Sequence, residues 1–170
     1  MNAADDPVGT FTSLMGELDY PMFIVTTVAG DDGERSGCLI GFATQISIKP
    51  PRFLAGLSDK NKTFRVARRA GYLGVHFVPG DGNGEALAEL FGSETGDEVD
   101  KFTRCAWHEG PGGVPVLDDL PNWFVGRIVE RVDGGDHHAF ILEPIAAERQ
   151  AEEEELTFHR AKRIEPGHAP

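Results

Sequence analysis

Two adjacent prolines, Pro50 and Pro51, stand between stretches that both read as extended chain, Arg35 to Ile48 and Arg52 to Ser58. Proline lacks an amide hydrogen and restricts the residue before it, so neither a helix nor a straight strand passes through the pair. The chain must turn there, and a sharp corner between two extended runs suits a curved or closed sheet. The same punctuation recurs. Met22 to Ala29, rich in β-branched residues, runs into the turn signal Gly30-Asp31-Asp32-Gly33, which predicts a first hairpin with the Arg35 stretch. Tyr72 to Val78 reads as another strand, and Trp123 to Val132 is joined to His138 to Leu142 by Asp133-Gly134-Gly135-Asp136, a last hairpin. With 21 Gly and 11 Pro, turns are many and long helices few.

Three short helices interrupt the strands. Phe11, Leu14, Met15 and Leu18 have the three-and-four spacing of one helical face before Pro21. Asn61 is placed to cap a helix running to Arg69, and Ala86, Leu87, Leu90 and Phe91 share a side of a third, entered from the turn Gly80 to Gly84, with Phe91 toward the core. Asp97 to Phe102 suggests one helical turn, and Ala106 to Pro115 holds too much Gly and Pro for regular structure. A chain of 170 residues buries about 70% of its unfolded surface without staples. The expected organisation is one mainly β domain over 11–164 between flexible ends, 1–10 and 165–170.

A formal net charge of −12 opposes polyanionic partners, so nucleic acid is not an expected ligand. No apolar run is long enough to span a bilayer, and Met1 to Gly9 carries acids where an export signal would carry bases, so no membrane role and a cytoplasmic location are expected. Cys38 and Cys105 lack metal or redox spacing and read as reduced, buried thiols. There is no G-x-G-x-x-G opening a helix, no P-loop, no H-E-x-x-H and no G-x-S-x-G, so any cofactor is held in another way.

The most informative segment runs from Ser36 to Pro51 and on through Ser58-Asp59-Lys60-Asn61-Lys62-Thr63. It resembles the flavin reductase family, in which a Gly-opened strand leads through a T-S-V-S-like stretch to Pro-Pro, then to a strand and a Ser/Lys/Thr cluster at a helix start. Thr44, Ser47, Pro50, Pro51 and Thr63 match that pattern. The likeness continues through Ala86 to Phe91, Lys101-Phe102, Val114 to Asp119, Trp123 to Ile128, Asp136-His137 and Leu156 to Arg163. It implies an FMN-binding split β-barrel of Greek-key type, with FMN or FAD held in a site shared between two subunits of a homodimer. It further implies NAD(P)H as hydride donor and a partner monooxygenase or other acceptor for the electrons.

The residue chemistry is compatible. A flavin needs donors for its phosphate, polar contacts to the ribityl chain and an apolar slot for the ring. Ser58, Asn61, Lys62 and Thr63 stand at a helix start, where free amides and the dipole favour an anion. Gly41, Phe42, Ala43, Thr44, Gln45, Ile46 and Ser47 form the strand end expected at the ribityl chain and ring. Taken alone, Lys62 and Thr63 read more readily as ordinary residues of a solvated helix start, a preference that the resemblance reverses, and Trp123, Phe124 and Phe42 as packing or subunit contacts. His76 reads as a satisfied sheet residue.

The resemblance assigns His137 to the flavin's neighbourhood, where it orients the nicotinamide or assists protonation, and brings Phe158, His159 and Arg160 over the ring. Leu39, Gly41 and Gln45 depart from the family pattern, so some side-chain contacts to the flavin fall to backbone amides. Two rival readings stay open: a flavin carrier or store without turnover, and a related split barrel using deazaflavin or haem.

Overall fold

A computed structural model of the chain describes residues 6–165 and residue 167. Helix α1 spans Pro7–Glu17, strand β1 Phe23–Ala29, β2 Glu34–Ile40, β3 Ala43–Ser47 and β4 Arg52–Ser58. Helix α2 spans Lys62–Ala67, β5 Tyr72–Phe77 and helix α3 Gly82–Ser93. Strands β6 Trp107–Glu109, β7 Pro115–Leu117, β8 Asn122–Asp133 and β9 His137–Arg149 follow, then the short helix α4 Phe158–Ala161.

Seven strands form one sheet in the order β2-β1-β5-β8-β9-β4-β3, each neighbouring pair antiparallel. Side chains alternate across it. Phe23 and Val25 of β1 enter one core, while Met22 and Ile24 beside them enter another. The first core joins Cys38 and Ile40 of β2 to Ala55 and Leu57 of β4, strands from opposite ends of the order, so the sheet has curled until its far members share one interior. Phe64 and Ala67 of α2 plug that interior. The second core lies on the outer face, where Leu87, Ala88 and Phe91 of α3 pack with Leu117, Leu120 and Leu156.

The corner at Pro50-Pro51 falls between β3 and β4 as expected, and β1–β2 and β8–β9 are hairpins. Other boundaries moved. The extended run Arg35 to Ile48 is two strands broken at Gly41-Phe42. Gly82 and Gly84, read as turn residues, form the first turn of α3, because Asp81 caps it by accepting from Gly84 N at 2.8 Å. Strand β9 runs seven residues beyond Leu142, paired throughout with β8 across two bulges.

The stretch Ala106 to Pro115 is not irregular, since β6 and β7 pair there. That ribbon is tied to the barrel by buried bonds: Thr26 Oγ1 donates to Pro115 O at 2.6 Å, and Leu117 N donates to His76 Nε2 at 3.0 Å. The N-terminal expectation also changes, because Pro7 to Thr10 belong to α1, which Asp6 caps. The flexible-end expectation otherwise falls on 1–5, 166 and 168–170, outside the described residues. Gly167 N donates to Gly92 O at 3.1 Å.

Three buried groups show how polar atoms are settled. Cys38 is buried and Cys105 half-buried, both free, with burial raising both thiols and Cys105 to about 11. Lys101, 4% exposed, donates from Nζ to Gly37 O at 3.1 Å and Phe91 O at 3.0 Å, which ties α3 to β2, and burial lowers its pKa. His76 is fully buried. With Nε2 accepting from Leu117, its Nδ1–H donates to Ile24 O at 3.0 Å, so both nitrogens are satisfied by the neutral ring.

Desolvation lowers the His76 pKa from 6.5 to about 4. Protonation therefore favours the unfolded chain. The neutral ring's contribution is complete above about pH 6.5 and is lost as pH falls toward 4, amounting to roughly 3 kcal/mol below that value. Thermal melts at a series of pH values should show the midpoint dropping across this window, and His76→Gln, which cannot titrate, should flatten the slope there.

Candidate functional site

The site grows from the barrel's seam. Strands β2 and β3 are the two edges of the sheet, yet they are consecutive in sequence and joined only by Gly41 and Phe42. Ala43 N donates to Gly41 O at 3.0 Å, a tight reversal, and Gly56 N of β4 donates to Phe42 O at 2.7 Å. Both glycines are required by space. A Cβ on Gly41 would lie 2.6 Å from Tyr20 Cε2, and one on Gly56 would lie 2.9 Å from Phe42 O.

Two clefts open beside this seam. The smaller, about 270 Å³, has Tyr20, Met22, Cys38, Ile40 and Phe158 as its apolar wall and Ser58, Asn61 and His137 at its polar end. The larger, about 820 Å³, lies between α1 and the barrel, with Phe11, Met15 and Leu18 facing Phe53, Phe77, Ala43, Thr44 and Gln45. Gly41, Phe42 and Tyr20 line both. Tyr20 stacks on Phe158, centroids 4.8 Å apart and planes within 12°, so the first and last parts of the domain build one wall.

Sheet pairing assembles the polar end. Ser58 closes β4 opposite His137, which opens β9. Asn61 follows as the cap of α2, its Oδ1 accepting from Thr63 N at 3.0 Å, which leaves the amide NH2 to donate outward. Ser58 Oγ accepts from Lys60 N at 3.3 Å and keeps its hydroxyl hydrogen for another partner. His137 Nδ1 lies 2.8 Å from Asp136 Oδ1. A carboxylate oxygen only accepts, so the proton sits on Nδ1 and Nε2 is left as the nitrogen for exchange. The hydrogen bond from His137 holds the Asp136 carboxyl below the usual carboxylate range.

The expected residues divide into three groups. Gly41, Phe42, Ser58, Asn61 and His137 share the small cleft, and Ala43, Thr44 and Gln45 line the large one. Ile46 sits at a bulge between β3 and β4, exposed, and the Ser47 hydroxyl donates to Pro50 O at 2.5 Å, so neither lines either cleft.

Lys62 and Thr63 point away. Lys62 Nζ donates to Gly96 O at 3.0 Å and lies 3.9 Å from Glu34, while the buried Thr63 hydroxyl bonds Ser36 Oγ at 2.9 Å. Helix α2 has only six residues, which also weakens the dipole contribution expected there. Of the tail residues, Phe158 reaches the cleft. His159 N donates to Asp19 and Arg160 pairs with Glu85, both elsewhere.

Tyr20, Cys38 and Gly56 were not legible as site residues. Tyr20 stands alone before the first strand, and nothing in its neighbours' spacing reveals a wall completed from residue 158.

Comparison with known proteins places these features. The model of the flavin reductase like domain matches residues 15–166. A ferric-chelate reductase (NAD(P)H) of Archaeoglobus fulgidus is 24% identical over 155 residues, 91% of this chain and 90% of its own. A reductase component of 4-nitrophenol 4-monooxygenase/4-nitrocatechol 2-monooxygenase from Rhodococcus opacus is 28% identical over 138 residues, 81% of this chain and 70% of its own. The solved NADH:FAD oxidoreductase SgcE6 of Streptomyces globisporus superposes with a TM-score of 0.78 at 24% identity, covering 93% of this chain and 91% of that one. Its likeness is one of fold.

Gly41→Ala tests the seam. The added methyl must displace the Tyr20 ring from Phe158, an overpacking that should lower stability by about 1–3 kcal/mol in urea unfolding, whereas Gly16→Ala, with open space at its Cβ, should not.

Proposed function

The chain belongs to the flavin reductase-like domain family, and from that premise we propose that it is an NAD(P)H-dependent flavin oxidoreductase taking FMN or FAD. One observation carries the reading. At the barrel seam a cleft with a polar end made of Ser58, Asn61 and His137 lies beside an apolar cleft of about 820 Å³, and the two share Tyr20, Gly41 and Phe42 in their walls.

The residues present fit a flavin. Ser58 Oγ–H and the Asn61 NH2 are donors suited to a phosphate, and the amide and hydroxyl of Gln45 and Thr44 suit the ribityl chain or the ring's polar edge. Phe53, Phe77 and Tyr20 offer apolar surface to the ring system. When bound, the flavin supplies a hydride acceptor at N5 for nicotinamide C4 and returns the electrons to an acceptor. Around it the chain excludes water with the aromatic wall of Tyr20 and Phe158. His137, held by Asp136 through Nδ1, presents Nε2 to give or take a proton at the ligand's polar edge.

A homodimer is part of the proposal. Phe11, Leu14, Met15, Leu18, Ile46 and Ile48 are all more than 40% exposed, an apolar surface beside the large cleft that a second copy would cover. The relative named as a monooxygenase reductase component supports an oxygenase as one electron acceptor. No helix among the described residues is long and apolar enough to cross a membrane. A nicotinamide donor is kept inside the cell, so the reading puts the protein in the cytoplasm.

Anaerobic addition of NADH or NADPH to the FMN-loaded protein should bleach the yellow flavin absorbance. Persistent colour with flavin bound would instead identify a carrier. Ser58→Ala combined with Asn61→Ala should raise the Kd for FMN by roughly a hundredfold, as expected for losing two donors to a charged group, while Lys62→Ala should change it little. His137→Ala should slow reduction by the nicotinamide with FMN still bound, measured by anaerobic stopped flow.

A further inference from the structure

Phe42 combines a fixed backbone with a free ring. Its carbonyl is bound by Gly56 N at 2.7 Å, and the residues on either side of it close the Gly41–Ala43 reversal, so the main chain at the seam cannot shift without breaking both bonds. The ring is 57% exposed and rests on the His137 imidazole, centroids 4.9 Å apart and planes tilted 56°. It lines both clefts, as Tyr20 and Gly41 also do.

The two clefts are unequal partners for any one ligand. About 270 Å³ falls below the roughly 300–1,000 Å³ of a pocket for a cofactor-sized molecule, and the large cleft lacks the Ser58, Asn61 and His137 polar groups. A molecule with an anionic group at Ser58 and Asn61 and a ring system against Phe53 and Phe77 must span both. Its path passes Gly41, where the absent side chain already leaves Tyr20 Cε2 only 2.6 Å from a Cβ position. Tyr20, the other side chain common to both clefts, is stacked on Phe158, so with the backbone held the freer movement on that path is rotation of the exposed Phe42 side chain.

We propose that Phe42 is a gate: its ring, parked on His137, closes the passage between the polar and apolar halves of the site and swings aside when a flavin enters or leaves. The proposal rests on the flavin reading above. It makes Phe42 the residue that decides whether flavin stays as a cofactor or exchanges as a product, because the ring obstructs both directions of movement. His137 gains a second role as the parking surface, separate from any proton it handles.

The test is stopped-flow mixing of FMN with wild type, Phe42→Ala, Phe42→Leu, His137→Ala and the Phe42→Ala/His137→Ala double variant, following the quenching of flavin fluorescence. Dissociation is followed by displacement into excess apoflavodoxin. Phe42→Ala should accelerate association and release together by roughly fivefold, the size expected for losing one aromatic contact. Phe42→Leu should fall between it and wild type, and both should fold normally because the ring is mostly in solvent.

The effect of Phe42→Ala should shrink when His137 is already alanine, since the ring has then lost its resting place. A merely structural Phe42 would not couple to His137 in this way. Rates within twofold of wild type for Phe42→Ala, or an acceleration of equal size with and without His137, would overturn the gate. Wild type that quenches no FMN would overturn the flavin reading and the gate with it, an outcome distinct from the gate failing alone.

Discussion

A single main-chain hydrogen bond, from Gly56 N to Phe42 O, sits where the two edges of the sheet meet. A seven-stranded sheet has two edge strands, and as it curls those edges approach each other. Here the ends are consecutive strands, β2 and β3, so two residues must carry the chain from one edge to the other. The link is crowded on both sides, Gly41 by the Tyr20 ring and Gly56 of β4 by the Phe42 carbonyl. Closure brings the end of β4, the cap of α2 and the start of β9 beside the same seam. The candidate site is therefore a consequence of how the sheet curls, and its polar end joins Ser58 and Asn61, neighbours in sequence, to the remote His137.

The electrostatics of the chain follow a related economy. It is strongly acidic, with a net charge of −12, yet the reading requires it to hold an anionic ligand. Several of its cations are paired on the surface: Arg65 with Asp97 at 2.6 Å, Arg127 and Arg52 with Glu143, and Arg69 with Glu34. Such exposed pairs contribute little to stability, about 0–1 kcal/mol each, but they also leave those guanidinium groups committed. Neutral donors at Ser58 and Asn61 are consistent with a site that holds an anion without concentrating positive charge. Lys62 illustrates the point, since its ammonium crosses to Gly96 and Glu34 instead of turning to the cleft.

Much of the fold was legible because the signals are local. The Pro50-Pro51 corner, the Asp133 to Asp136 turn and the Asn61 cap depend on backbone chemistry within a few residues, and all three stand where expected. Helix α1 belongs here too. Its Phe11 to Leu18 face was legible, while its start was not, because the Asp6 cap and Pro7 lie in the stretch expected to be flexible. The ribbon of β6 and β7 was illegible for the opposite reason. Its strands are only three residues each around the Gly- and Pro-rich 110–115, and they pair where Thr26 and His76 reach out from the barrel to hold β7.

Sequence alone determined the mainly β character, the corners, the capping residues, the family resemblance, and a set of residues from Gly41 to Thr63 with His137 as the candidate site. Tertiary structure decided which of those meet. Spacing along a strand or helix reports which residues share a face, but it carries no information on what the opposite face of a closed barrel presents. Only closure could turn Lys62 and Thr63 away, bring Tyr20 against Phe158 from the other end of the domain, and leave Phe42 lying on His137 in the wall of both clefts.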